Sequence, residues 1–253
     1  MTSMTDLATL ARSDTISALD LSAFTSEDLM NLILQRSEVM YDIPRSGRII
    51  RAWNAADEGP IRDVVARLGV DIARRAAALI HTEYLALQPF LNAKNPKRIA
   101  DIGCGYGLFD LFAARDSKAS VVLIDIEHNT RRHFGFAAQG AAYSNLATAR
   151  RLLEANGIAP SRIETVNPQT EDLSAVKPVD LALSFLSCGF HYPVSTYADF
   201  FATQVKPKGT IVLDLREATA DEQLPGLHAL GAITTLAGPP KTRRVAVNKA
   251  AKA

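Results

Sequence analysis

The residues with the clearest chemical content lie in the stretch RIADIGCGYGLFDL, Arg98 to Leu111. Asp101 stands two positions before Gly103, and further glycines follow at Gly105 and Gly107. A second acid, Asp125, closes the apolar run VVLID about 20 residues after the turn, the spacing at which an acid can hold a ribose. A glycine turn after a short apolar strand commonly offers its backbone N–H groups to a phosphate. Asp101 would repel one. The dinucleotide pattern G-x-G-x-x-G is also broken, because Leu108 fills the place of its third glycine. Asp101 thus points to a ligand that brings a cation or hydrogen-bond donors, or else to a strand-end acid that caps the helix behind it. Asp125 suits any adenosine ligand, dinucleotide or not.

These residues need elements that hold them in place. From Lys97 onward short apolar runs alternate with helical ones. RIADI, SVVLIDI, RIETV, VDLALSFL and GTIVLDL read as strands, with helices over GLFDLFAARD, over a long region from about Glu127 to Asn156, and over TYADFFATQV. Such alternation implies a parallel sheet with helices on both faces. The last two runs, AITTLA and TRRVAVN, are joined only by Gly238-Pro239-Pro240, so they must be antiparallel. The expected architecture is α/β: a doubly wound, mostly parallel seven-stranded sheet with one antiparallel strand near the C-terminus. Residues 1–95 read as an N-terminal helical region that would cover the site, and residues 96–253 as the core. Thr25 and Ser26 with early acids start one N-terminal helix, and Asn95-Pro96 ends the last.

Composition restricts the function classes. The chain has 253 residues, 47% hydrophobic and 22% charged, with a net charge of +1, so no overall field draws it to nucleic acid or to anionic lipid. Two cysteines, Cys104 and Cys188, give neither a disulfide framework nor metal-ligand spacing, which points to a reducing, cytoplasmic setting without a bound metal. No run approaches the roughly 20 apolar residues of a membrane span, and the acids near the N-terminus argue against a signal peptide.

S-adenosylmethionine meets both acids: it carries an ammonium, a sulfonium and a ribose, and no phosphate. DIGCGYG followed by LID resembles the class I S-adenosylmethionine-dependent methyltransferases over roughly Arg98 to Asn248, and the chain is similar to bacterial small-molecule or sugar O-methyltransferases. The resemblance implies that Asp101 holds the methionine ammonium, that Gly103 and Gly105 line the methionyl and ribose parts, that Asp125 holds the ribose and that Ile126 packs on adenine. It further implies polar contacts to the adenine amine from NPQTEDL, with Gln169 and Thr170 preferred, and places Ser187, after the fourth strand, near the cofactor.

Two stretches exceed a bare core of this kind, HFGFAAQGAAYSN and SFLSCGFHYPVSTY. Both are expected over the open strand ends, where an acceptor would sit. His191 is the candidate base, since an imidazole with an ordinary pKa of about 6.5 can take a hydroxyl proton near neutral pH; it could equally tie down its loop. Tyr143 is a second candidate catalytic residue, and Asn145 could orient a substrate or cap a helix. Glu83 and Tyr84 could reach the cofactor from the preceding helix, or Tyr84 could belong to a core stripe. The expected activity is methyl transfer to a small-molecule acceptor, most simply a hydroxyl oxygen. The alternatives are an RNA or protein methyltransferase, or a binding protein that keeps the fold without turnover. Neutral charge and the missing Asn-Pro-Pro-aromatic motif after the fourth strand stand against nucleic acid. An apolar N-terminal helix, if exposed, would allow a homodimer.

Overall fold

The structure is a computed structural model that describes residues 4–127 and 144–251. Tyr143 and the aromatic stretch before it lie outside the described residues. Six helices come first: α1 (Met4–Leu10), α2 (Asp14–Ser17), α3 (Ser26–Gln35), α4 (Gly47–Asn54), α5 (Gly59–Leu68) and α6 (Asp71–Lys94). The core follows as β1 (Arg98–Ile102), α7 (Leu108–Ser117), β2 (Ser120–Ile124), α8 (Leu146–Ala155), β3 (Ile163–Val166), β4 (Val179–Ser184), α9 (Ala198–Thr203), β5 (Val205–Arg216), α10 (Ala220–His228), β6 (Gly231–Leu236) and β7 (Thr242–Lys249).

The seven strands form one sheet in the order β3-β2-β1-β4-β5-β7-β6. All neighbours are parallel except β7, which runs antiparallel to both β5 and β6. The order reverses between β1 and β4, so a crevice opens beyond their C-terminal ends. The central strands are buried nearly throughout because both faces are covered, which is why they read as continuous apolar runs and not as alternating ones. Alternate residues still separate into two layers. Ile99, Val121, Leu123, Leu181 and Leu183 face the N-terminal helices, α7 and α8. Ala100, Ile102, Val122, Ile124 and Ala182 face Phe200, Phe201 and Leu227 on the other side.

The N-terminal helices share the first of these layers, from Leu7 through Ile33 and Ile72 to Leu123, with no break in the apolar core. α3 starts at a capping box: the Thr25 side chain accepts from the Asp28 N–H at 3.2 Å and Asp28 accepts from the Thr25 N–H at 2.9 Å. α6 runs through Pro89 to Asn95, whose left-handed conformation ends it. Trp53 is buried on α4 and packs in this core.

Two boundaries differ from expectation. α8 begins at Leu146, capped by Asn145, whose side chain accepts from the Thr148 N–H at 3.0 Å. The residues just after β2, up to Glu127, are not helical, so the described part of the expected 127–156 helix is its last third. β5 begins at Val205, four residues before the expected start, because Val205 pairs with Val179 ahead of a register shift in β4. Lys206-Pro207-Lys208-Gly209 bulges out between the Val205 and Thr210 pairings, without a register partner on β4 or β7. Among the described residues no helix is long and apolar enough to cross a membrane.

Candidate functional site

The crevice beyond β1 and β4 is a real cavity, and the glycine turn forms its floor. Gly103, Gly105 and Gly107 all have positive φ, at 79°, 58° and 68°, a backbone that side chains resist. The turn is pinned to β2: the Gly103 N–H donates to the Ile124 carbonyl at 2.7 Å and the Gly105 N–H donates to Asp125 Oδ2 at 2.7 Å. Gly103 has a second reason to lack a side chain. A Cβ there would lie 2.3 Å from Ser187 Cβ and Oγ, so the segment after β4 rests directly on the turn.

That segment is itself folded tightly. The Phe190 and His191 N–H groups both donate to the Ser187 carbonyl, at 3.0 and 2.8 Å. Ser184 Oγ donates to the Ile102 carbonyl at 2.6 Å and accepts from the Cys188 N–H at 2.9 Å, which stitches the end of β4 to the end of β1. His191, Tyr192 and Tyr197 line the cavity from this side.

Of the residues expected at the site, Asp101, Gly103, Gly105, Asp125, Ile126, Ser187 and His191 all line this one cavity. Gln169 and Thr170 do not line it. They are exposed in a turn after β3 that Asn167 organises, its Oδ1 accepting from the Gln169 N–H at 3.0 Å and its carbonyl accepting from the Thr170 N–H at 3.0 Å. The local turn geometry spends their backbone groups on Asn167 and leaves the side chains in solvent. Tyr84 is also accounted for within the core, since its hydroxyl donates to Asp116 at 2.6 Å amid Phe109 and Phe112.

The opposite wall comes from helices that sequence spacing did not bring to the site. Leu32, Leu34, Gln35 and Arg36, at the end of α3, line the cavity together with Ile80 and Glu83 of α6. Arg36 and Glu83 form a two-point ion pair at 2.5 and 2.9 Å. Only Glu83 carried a sequence signal, its place on the helix before β1. Arg36 carried none, because its arrival depends on how α3 crosses the mouth. The Tyr106 hydroxyl in the glycine turn anchors that crossing: it donates to Asp28 of α3 at 2.9 Å and accepts from Asn31 Nδ2 at 3.0 Å.

Three acids lie in or behind the cavity floor. Asp101 and Asp125 are almost fully buried, and Asp110, in the first turn of α7, is fully so. Burial, and then the neighbouring Asp110 charge, pushes the Asp101 carboxyl well above the usual carboxylate range. Burial pushes Asp125 up to about 7 against the pull of the Gly105 N–H. Cys104 is driven up by burial and by the same acids, so it stays a thiol and no nucleophile. Asp101 Oδ1 receives no hydrogen bond among the described residues. A buried carboxyl without a donor is costly unless something else supplies one. The arrangement therefore suits a ligand with a donor-rich cation at one end and vicinal hydroxyls at the other, lying across the glycine turn.

No protein-family model and no curated protein sequence matches the chain. Among solved structures, it resembles a protein of Nostoc punctiforme provisionally assigned as an O-methyltransferase, at 14% identity with a TM-score of 0.51, over 71% of this chain and 59% of that one. It also resembles the S-adenosylmethionine-dependent methyltransferase SibL at 14% identity and a TM-score of 0.49, over 71% and 58%. A third likeness is to the B. subtilis tRNA methyltransferase TrmK at 18% identity and 0.45, over 65% of each chain. The chain spans about three fifths of the length of the first two. With the strand order and the reversed β7 already on the page, the first of these likenesses settles the architecture: the chain is built on the class I methyltransferase fold.

Proposed function

We propose that this protein is an S-adenosylmethionine-dependent methyltransferase acting on a small-molecule acceptor, with a hydroxyl oxygen as the methylated atom. One observation carries the reading. Asp101 and Asp125, the latter tied to the Gly105 N–H, line one cavity over a turn in which Gly103 leaves no room for a side chain. That pair of acceptors fits the ammonium and the ribose of S-adenosylmethionine and would reject a pyrophosphate.

When bound, the cofactor supplies a methyl group already activated by its sulfonium. The chain has to bind, orient and exclude water. Asp101 would hold the ammonium, Asp125 the ribose hydroxyls and Ile126 the adenine. Gly103 and Ser187 would fix the depth at which the cofactor lies. His191, beside Tyr192 and Tyr197 in the same cavity, would accept the acceptor's hydroxyl proton, and positioning with desolvation would supply much of the rate. Arg36 and Glu83, paired on the wall of the same cavity, would border the acceptor's side of the site. Tyr143, outside the described residues, stays in this proposal as a second acceptor-side residue.

Calorimetric titration tests the reading. S-adenosylmethionine is expected to bind at micromolar concentration and NADH not at all, and Asp125→Ala is expected to lose at least tenfold in affinity, about 1.4 kcal/mol. Binding of NADH in preference, or no effect of the substitution, would overturn it.

A further inference from the structure

Behind the floor of the cavity lies one acid more than the cofactor reading uses. Asp110 is fully buried, and its carboxyl lies within hydrogen-bonding reach of Asp101. Among the described residues neither Asp110 oxygen, nor Asp101 Oδ1, receives a hydrogen bond from any N–H or O–H group. Two buried carboxyls within reach of each other resist both being charged. A proton on one supplies the donor that the other lacks.

The other side chains around the pair are engaged elsewhere. In the turn, the Cys104 thiol is neutral and the Tyr106 hydroxyl is committed to Asp28. After β2, Asp125 adds a further negative charge and is itself held by the Gly105 N–H. From α3 and α6 come Arg36 and Glu83, and Glu83 binds both ends of that guanidinium. Tyr84 of α6 is engaged with Asp116. The segment after β4 contributes His191 and Tyr192 across the cavity. Burial raises Asp110 to about 7, and burial together with the Asp110 carboxyl beside it raises Asp101 well above the usual carboxylate range.

We propose that Asp110 is a positioning residue for Asp101: in the unliganded protein the two buried carboxyls satisfy each other through protons, a ligand bringing a positive charge to Asp101 expels one, and Asp110 donates the other to Asp101. The inference rests on the cofactor reading above. The charge balance is simple. One proton leaves to the buffer, Asp101 becomes the carboxylate that faces the ammonium, and Asp110 stays neutral. Ligand binding is thereby linked to pH through a residue that never touches the ligand.

The test is calorimetry on the full chain from pH 6 to 8, in buffers of different ionisation heat, which counts protons directly. The probes are S-adenosylmethionine, S-adenosylhomocysteine and adenosine. Adenosine has the ribose that Asp125 would meet but no ammonium, so it separates Asp125 from the pair. For the wild type near pH 6, the two ammonium ligands should each release close to one proton more than adenosine. Their affinity should rise about tenfold per pH unit and level off above about pH 7. In Asp110→Asn the amide donates to Asp101 without a titrating proton. The extra release should shrink towards zero, and affinity near pH 6 should exceed that of the wild type while matching it near pH 8. Equal proton counts for adenosine and the ammonium ligands in the wild type would overturn the inference while leaving the cofactor reading intact, and this arm needs no variant to fold. An unchanged proton count in Asp110→Asn would also overturn it. No binding by any probe at any pH would remove the cofactor reading and this inference together.

Discussion

Asp28 and Asp101 are equally hidden, each 3% exposed; Asp28 bonds to Tyr106 of the glycine turn and Asp101 stands just before that turn. Their surroundings could hardly differ more. Asp28 accepts from the Thr25 N–H and hydroxyl at 2.9 and 2.7 Å, from the Tyr106 hydroxyl at 2.9 Å and from the Thr148 hydroxyl at 3.3 Å. Asp101 faces another carboxyl and an open cavity. One acid is a structural rivet that joins α3, the turn and α8. The other is left without donors in a place where a ligand could bring them. Burial alone does not separate structural acids from binding acids; the supply of donors does.

The comparison can be pressed by substitution. The largest effect on stability is expected from Asp28→Ala, which strands several buried donors at once. Urea unfolding should show a loss of about 3 kcal/mol, with ligand affinity changed far less than by any change at Asp101. A loss under about 1 kcal/mol would mean that the network is dispensable and the contrast unreal. Next comes Asp101→Asn. It should weaken S-adenosylmethionine binding by roughly 30- to 100-fold, the scale of a lost charge-assisted hydrogen bond, while leaving stability equal or higher. Destabilisation with intact binding would place Asp101 in the same class as Asp28.

The smallest effect sharpens the contrast through pH. Asp101, Asp110 and Asp125 have folded-state values raised above those of the unfolded chain. Their neutral forms are therefore favoured by folding. As pH rises from the ordinary carboxylate value of about 4, the unfolded chain gives up these protons first. Stability of the unliganded protein should fall from there to about 7, where Asp110 and Asp125 lose their protons in the folded state, and change less above. Asp110→Asn should recover about 1 kcal/mol at pH 8 and little at pH 5, read from thermal unfolding at the two pH values. A wild type that gained stability between pH 4 and 7 would contradict the raised values.

Much of this site could be read from local sequence, and the reasons are specific. Asp101, the three glycines and Asp125 are separated by one strand, one turn and one helix, so chain geometry alone places them at neighbouring strand ends. The Thr25 cap and the final antiparallel pair are likewise short-range features. Gln169 and Thr170 show where such reasoning stops. They lie at a strand end of the right kind, yet a turn built by Asn167 faces them outward. Asp110 shows the converse. In GLFDLFAARD it reads as an ordinary polar position of a helix, and only the fully buried face of α7 brings it against Asp101.

Local sequence suffices for the parts whose partners lie within about one strand–turn–helix unit: the order of elements, the glycine floor, the two acids at neighbouring strand ends and the reversed final strand. There the backbone leaves few conformations, and glycine, proline and periodicity select among them. The tertiary structure alone decided which distant pieces converge. Arg36 and Glu83 reach the far wall, Ser187 presses on Gly103, and one buried acid receives donors while its neighbour receives none. These outcomes depend on how α3 and α6 pack across the sheet, where apolar burial fixes the docking and the polar side chains take the positions it leaves them.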